Sequence, residues 1–212
     1  MSRFLTVAAG LLVASIITAG CSSTPRGGDS AVVKVSMRTS EGEIVLELDR
    51  EHAPISVANF LEHARKGHYD GTVFHRVIPN FVVQGGGWTP ELVERAKLDA
   101  AAGRPDVPIK NEWQNGLKNT KGTIAMAREA DPDTATREFY INVADNAKLD
   151  TAREKTGNAG YAVFGRVVGG WDVVEKIRTG ETGPRADVKV DDGSMNDVPV
   201  KLVVIKRVRE TR

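Results

Sequence analysis

Several short stretches of the chain alternate apolar and polar residues, which is the pattern of half-buried strands. Two such stretches, 32–38 and 44–49, flank the turn SEGE at 40–43 and predict a β-hairpin. Further strand-like stretches are found at 72–78, 81–84, 122–127, 138–143, 161–168 and 200–208. Many short strands with few helices favour a mainly β protein, either a barrel or a sandwich, with helices at its ends.

Helical spacing occurs in three places. Pro54 begins the first helix, whose apolar stripe continues to about Lys66 before Gly67 ends it. Trp171 begins another, in the segment WDVVEKI. Residues 90–102 predict a short third helix inside an insert, for which the sequence indicates no definite role.

The first residues have the pattern of an export signal. Arg3 is followed by residues 4–20, which carry no charged side chain and end just before Cys21. A basic start, an apolar run and small residues before a cleavage site are typical of secretory signals. The run has 17 residues, which is short for a spanning helix of about 20. We therefore predict a signal peptide over 1–20.

Cys21 is the predicted lipid attachment point. Ala-Gly-Cys at 19–21 resembles a bacterial lipobox, although Thr18 stands where an aliphatic residue is usual. An ordinary cleaved signal and an uncleaved anchor remain the alternatives. Residues 21–31 then form the lipidated end and a flexible Ser/Gly/Pro-rich stalk.

Composition excludes several function classes. The 212 residues include 29 basic and 28 acidic ones, so the net charge of +1 argues against nucleic acid as a partner. A single cysteine excludes an internal disulfide and a cysteine-rich metal site. His52, His63 and His68 lack metal-ligand spacing, so we predict neither a metal site nor a cofactor. Gly85–Gly87 lacks the residues of a phosphate loop and is interpreted as a bend.

The segment 74–86, FHRVIPNFVVQGG, concentrates functional side chains at strand positions. His75, Arg76 and Gln84 lie among large apolar residues. Arginine is seldom buried without a partner. Two strands joined by a turn are the plain structural interpretation. Arg76, Val82 and Gln84 share a face only if the turn keeps register, which the sequence leaves open.

FHRVIPNFVVQGGG resembles the signature of cyclophilin-type peptidyl-prolyl cis-trans isomerases. The resemblance covers residues 32–209 and leaves 210–212 as a tail. It implies an eight-stranded antiparallel barrel capped by two α-helices. Further matching segments are KNTKGTIAMAR at 118–128, FYINVADN at 139–146 and YAVFGRVVGGWDVVEKI at 161–177.

The resemblance also implies roles for individual residues. Arg76 matches the catalytic arginine, Gln84 the amide that orients it, and His75 its neighbour, for which a structural role is an alternative. Phe81, Met126, Tyr140 and Leu149 match the proline pocket, with plain core packing as the alternative for Phe81 and Met126. The remaining predicted substrate-binding residues are Ala127 and Arg128, whose backbone would pair with the peptide, together with Glu138 and Tyr161.

Two residues depart from the family pattern. Glu138 stands where glutamine is usual, and a carboxylate near Arg76 would hold the guanidinium or compete for it, altering activity or its pH dependence. Lys148 stands where cyclosporin-sensitive members have tryptophan, which predicts weak cyclosporin binding.

The sequence therefore predicts a monomeric enzyme that isomerises X-Pro bonds in proline-containing polypeptides of the bacterial envelope. It is expected to face the periplasm from a lipid anchor on Cys21, at the outer rather than the inner membrane because Ser22 follows; a soluble periplasmic form is the alternative. A tethered proline-peptide-binding or chaperone module with little turnover is the alternative function.

Overall fold

A computed structural model describes residues 31–190 and 193–211. The predicted signal peptide 1–20, Cys21 and the stalk to residue 30 lie outside the described residues. The strands are β1 Val32–Thr39, β2 Glu43–Asp49, β3 Thr72–Val77, β4 Val82–Trp88, β5 Thr123–Met126, β6 Phe139–Asn142, β7 Val163–Gly169, β8 Thr182–Val190, β9 Gly193–Pro199 and β10 Val204–Thr211. The helices are α1 Pro54–Arg65, α2 Arg95–Ala101 and α3 Trp171–Arg178.

Eight of these strands close into a barrel in the order β1-β10-β3-β4-β6-β5-β7-β2, with β1 and β2 adjacent. Every neighbouring pair is antiparallel. The expectation of a mainly β, eight-stranded antiparallel barrel is thereby confirmed. No helix within the described ranges has the length and apolarity needed to cross a bilayer.

Alternation along the strands builds the barrel core. On β1, every second residue from Val33 to Met37 is buried, and Val35 pairs with Leu46 of β2. Burying a large apolar side chain of this kind contributes about 1.5–3 kcal/mol. Helix α1 adds Phe60 and other buried residues to the same core. The hairpin of β1 and β2 therefore forms as predicted, because its period of two fits a surface that is buried on one side.

The insert and the C-terminal region differ from expectation. Helix α2 is shorter than the predicted 90–102, because the preceding residues form a turn in which Glu94 bridges to Trp88. Strands β8 and β9 form a separate hairpin that the sequence pattern did not predict. Strand β10 runs through Thr211, so residues 210 and 211 belong to the barrel rather than to a tail.

Candidate functional site

A β-bulge in β3 turns two consecutive polar side chains away from the barrel core. Phe74 pairs with Gly85 and Arg76 with Gln84, so the register shifts between Phe74 and Arg76. Phe74 belongs to the barrel core, whereas the His75 ring lies 5.8 Å from that of Trp88 and the Arg76 side chain is half-exposed. A bulge re-aims side chains in this way by adding one residue to one strand of a pair. The register that the sequence leaves open thus brings Arg76 opposite Gln84.

The same row continues across the barrel wall. Gln84 on β4 pairs with Tyr140 on β6, which in turn pairs with Ala125 on β5. Residues that are strand partners in this way project to the same face of a sheet. Arg76, Gln84 and Tyr140 therefore lie side by side on one face.

Two polar groups hold the Arg76 guanidinium. Its Nη1 donates a hydrogen bond to Gln84 Oε1 at 3.4 Å, and its Nε lies 3.8 Å from Oδ2 of Asp197 on β9. The side chains of Arg76 and Asp197 are 40% and 41% exposed, so water screens this ion pair strongly. Sequence analysis missed Asp197, which lies in a hairpin without a regular apolar pattern.

Glu138 anchors the other end of this network. Gln84 Nε2 donates to Glu138 Oε2 at 2.8 Å, and His75 Nε2 lies 3.4 Å from the same oxygen. The Trp88 side chain also donates a hydrogen bond to Glu138. Because an ionised carboxylate only accepts hydrogen bonds, Gln84 presents its nitrogen to Glu138 and its oxygen to Arg76.

The environment of Glu138 favours its charged form. Burial opposes ionisation, but attraction to His75 and hydrogen bonds from His75, Gln84 and Trp88 outweigh this effect and lower its pKa below 4.5. Among the described residues, the carboxylate within ion-pair distance of Arg76 is that of Asp197. Glu138 therefore acts on Arg76 through Gln84 rather than by direct contact.

The three glycines after Gln84 lie within β4 and do not form the predicted bend. An added Cβ would lie 2.8 Å from Phe74 Cδ1 at Gly85 and 2.9 Å from Phe139 Cε1 at Gly86. At Gly87 it would overlap the carboxylate of Glu138. The glycines are thus explained by aromatic rings and a carboxylate that pack directly on the strand.

Apolar side chains next to Gln84 form a second cluster outside the barrel core, the outer cluster. Its buried members are Val82, Ala125, Ala127, Tyr140, Leu149 and Val163, with partly exposed Phe81, Leu117 and Tyr161 packed against them. The rings of Tyr140 and Tyr161 meet edge to face, with centroids 6.1 Å apart. Tyr140 donates its hydroxyl to Asn119 Oδ1 at 2.8 Å. Phe81, Tyr140 and Leu149, three of the four residues predicted to form the proline pocket, therefore lie together.

Met126 is the exception, and the assignment of this residue to the pocket is corrected. It lies in the barrel core with Ile124, whereas Ala125 between them belongs to the outer cluster. This division follows from strand alternation, which sends neighbours to opposite faces. Val82 belongs to the outer cluster instead. Its position two residues before Gln84 on β4 places both side chains on the same face and is the sequence pattern that indicates this.

A comparison with models of known families decides to which family the chain belongs. The family model described as "Cyclophilin type peptidyl-prolyl cis-trans isomerase/CLD" matches residues 34–210. The chain belongs to this family. Its reaction is therefore the cis-trans isomerisation of peptidyl-prolyl bonds.

This cyclophilin is similar to bacterial isomerases and to a solved structure from Cryptosporidium parvum. It is 47% identical to peptidyl-prolyl cis-trans isomerase cyp18 of Streptomyces antibioticus, over 82% of this chain and 96% of the relative. It is 44% identical to peptidyl-prolyl cis-trans isomerase B of Escherichia coli, over 78% and 98% respectively. The crystal structure of a cyclophilin-type isomerase from Cryptosporidium parvum matches with a TM-score of 0.65 and 21% identity, over 85% of this chain and 98% of that one.

In this cyclophilin, Arg128 organises the loop beside the outer cluster. Its Nη2 donates to the carbonyls of Thr156, Ala159 and Gly160. Its guanidinium lies over the Tyr161 ring, 4.4 Å from the centroid. The loop around 151–160 is thus held against the outer cluster by this side chain. The backbone N–H of Ala127 is occupied by the Glu138 carbonyl at 2.9 Å.

Proposed function

We propose that Arg76 accelerates the isomerisation by donating a hydrogen bond to the prolyl nitrogen of the twisted X-Pro amide. Uncatalysed X-Pro bonds exchange over tens to hundreds of seconds because resonance opposes rotation. Twisting makes the nitrogen pyramidal and gives it a lone pair that a guanidinium can bind. A catalyst of this reaction has only to bind the twisted amide more tightly than either planar form.

The observation that carries this proposal is the row Arg76, Gln84 and Tyr140 across three neighbouring strands. In this row Gln84 separates the half-exposed guanidinium from Tyr140, which shares the outer cluster with Leu149 and the partly exposed Phe81. We infer that these three side chains form the apolar surface for a proline ring. A proline ring on that surface would have its nitrogen toward the arginine. Gln84 fixes the guanidinium before substrate arrives, so little reorganisation is needed in the transition state.

Kinetics on a proline-containing peptide test the role of Arg76. We expect Arg76→Ala to lower kcat/KM by at least about 100-fold, as for loss of one transition-state donor. The kcat/KM of Arg76→Lys is also expected to be lower than that of the parent, because an ammonium lacks the planar set of N–H donors of a guanidinium. Arg166→Ala is the matched control, since Arg166 lies on β7 in an exposed pair with Glu47. Equal activity of Arg76→Ala and the parent would refute the proposal.

The alternative of a peptide-binding module without turnover is tested on the same proteins. Titration calorimetry with the peptide measures binding separately from catalysis. If parent and Arg76→Ala are equally slow while both bind the peptide, the binding module is the better description.

We also propose that the enzyme acts on exported proteins from a lipid anchor at Cys21. The support is the uncharged run 4–20 followed by Ala-Gly-Cys. One acyl chain anchors only marginally, whereas several chains hold a protein stably. The anchor would keep the isomerase close to unfolded polypeptides that enter the periplasm.

Labelling with a fatty acid in a bacterial host tests this anchor on the full chain. We expect the parent and the control Ser23→Ala to be labelled and to fractionate with the outer membrane. Cys21→Ser is expected to lose both properties. An unlabelled parent in the soluble periplasmic fraction would contradict anchoring and favour the soluble form.

A further inference from the structure

Three metal-ligating side chains from separate segments meet beside the C-terminal end of α1. His63 lies in the last turn of α1, His68 follows the helix, and Asp106 lies in the insert beyond α2. One ligand atom from each residue lies within 4.8 Å of the other two. The sequence predicted no metal site here, because Asp106 becomes a neighbour only through folding.

The helix end brings the two histidines together. Gly67 has φ +70°, a left-handed conformation that glycine adopts readily at a helix C-terminus. Its N–H donates to the Ala64 carbonyl at 3.1 Å, and the N–H of His68 donates to the His63 carbonyl at 3.0 Å. The chain thus turns back, and the Nδ1 atoms of His63 and His68 lie 2.8 Å apart.

Asp106 is held in place by a buried arginine. The Arg137 side chain is 1% exposed, and its Nε and Nη2 donate to the two carboxylate oxygens of Asp106. Nη2 of Arg137 also donates to Asp99 at 2.9 Å. Each carboxylate oxygen of Asp106 has a second lone pair, which can bind a cation. An outer partner of this kind typically orients a metal-binding carboxylate.

We propose that His63, His68 and Asp106 bind a divalent transition-metal ion of the zinc class. Two imidazole nitrogens and one carboxylate oxygen are a zinc donor set, with a fourth position left for water. An ion at about 2.0–2.1 Å from each nitrogen requires the rings to separate slightly, and the partly exposed His68 lies on a turn that allows this.

The charged groups around the site allow a cation to bind beside Asp106. The buried guanidinium of Arg137 contacts two carboxylates, Asp99 and Asp106, and Asp99 has further cationic partners. Arg95 and Arg104 contact Asp99 from the surface side. Asp106 is therefore the carboxylate of this group that can share its charge with an ion next to His63 and His68.

Calorimetric titration with zinc, on the full chain carrying Cys21→Ser, tests the site without interference from the thiol. We expect one equivalent of zinc to bind. His68→Ala and Asp106→Asn are each expected to weaken binding by at least about tenfold. His52→Ala is the matched control, because His52 lies at the surface and pairs with Asp49 at 2.8 Å. Cobalt is expected to give the visible absorption of a low-coordinate nitrogen and oxygen site.

Thermal unfolding without and with zinc separates loss of binding from loss of folding. We expect zinc to raise the Tm of the parent and of His52→Ala, because an ion that binds only the folded state stabilises it. His68→Ala is expected to fold but to show no such rise. The proposal is wrong if the parent binds no zinc, if His68→Ala binds it as tightly as the parent, or if His52→Ala abolishes binding.

Discussion

Gln84 and Glu138 are joined by a 2.8 Å hydrogen bond in which the amide nitrogen donates to the carboxylate. This bond decides which end of the Gln84 amide faces Arg76. With its nitrogen committed to Glu138, Gln84 offers its oxygen to the guanidinium at 3.4 Å. The orientation of Arg76 therefore depends on the charge of a residue that does not contact it.

The pH profile of Glu138→Gln tests this dependence. In the parent, kcat/KM is expected to fall as the pH drops through the lowered pKa of Glu138, below 4.5, because a protonated carboxyl no longer requires the Gln84 nitrogen. Ionised Glu138 also contributes to the free energy of unfolding. This contribution is fully present above pH 4.5, the ordinary pKa of a glutamate, and is lost as the pH drops through the lowered pKa of Glu138. Glu138→Gln is expected to lack this acid limb. NMR exchange spectroscopy on an X-Pro peptide measures it, and identical profiles would contradict the dependence.

Gly87→Ala should disturb the same network from the backbone side. The added Cβ overlaps the Glu138 carboxylate, so Glu138 must move and Gln84 loses its anchor. We expect kcat/KM to fall by about tenfold, comparable to the loss of one hydrogen bond to a charged group. Gly183→Ala is the control, because no atom lies within 4 Å of a Cβ there. A parent-like rate in Gly87→Ala would show that Glu138 is dispensable.

Asp197→Asn removes the second contact of Arg76. Both side chains are about two-fifths exposed and their atoms lie 3.8 Å apart, so the attraction is weak and sensitive to salt. We expect kcat/KM to fall less than about fivefold at low salt, in line with an exposed ion pair. The parent and the variant should converge near 1 M salt. A larger effect that persists in salt would indicate that Asp197 contacts the peptide itself.

Arg128→Ala should loosen the loop at 151–160 without removing a catalytic group. Its guanidinium donates to carbonyls of three residues in that region, Thr156, Ala159 and Gly160. We expect the free energy of unfolding in urea to fall by about 1–3 kcal/mol. Arg166→Ala, which removes an exposed ion pair, should cost less than about 1 kcal/mol. If the two variants lost the same free energy of unfolding, this would contradict the interpretation that Arg128 holds the loop in place.

The start of the barrel could be predicted from the sequence because β1 and β2 are buried on one side only, whereas β6 is buried on both sides. Residues 32–38 and 44–49 alternate cleanly, and the structure has β1 and β2 there. Alternation does not reveal a bulge, so the pairing of Arg76 with Gln84 had to come from the folded structure. The hairpin β8–β9 was missed because its glycines, prolines and acidic residues resemble a loop.

Two parts of the site depend on contacts between distant residues. Glu138 could be recognised as a departure from the family pattern, but its action through Gln84 rather than on Arg76 depends on side-chain geometry. Met126 was assigned to the pocket by resemblance, although its parity with Ile124 indicates the core. Arg137 stands between two polar residues in the sequence, and nothing there distinguishes a buried cation from an ordinary surface charge.

The buried position of Arg137 makes the insert with α2 inseparable from the barrel. Asp99 lies in α2 and Asp106 in the segment that follows it, and both neutralise this guanidinium. A chain in which this segment lacked Asp99 and Asp106 would retain a cation in the protein interior without a counter-charge, at a cost of about 3–5 kcal/mol. Grafting, shortening or exchanging this segment therefore requires a simultaneous change at position 137.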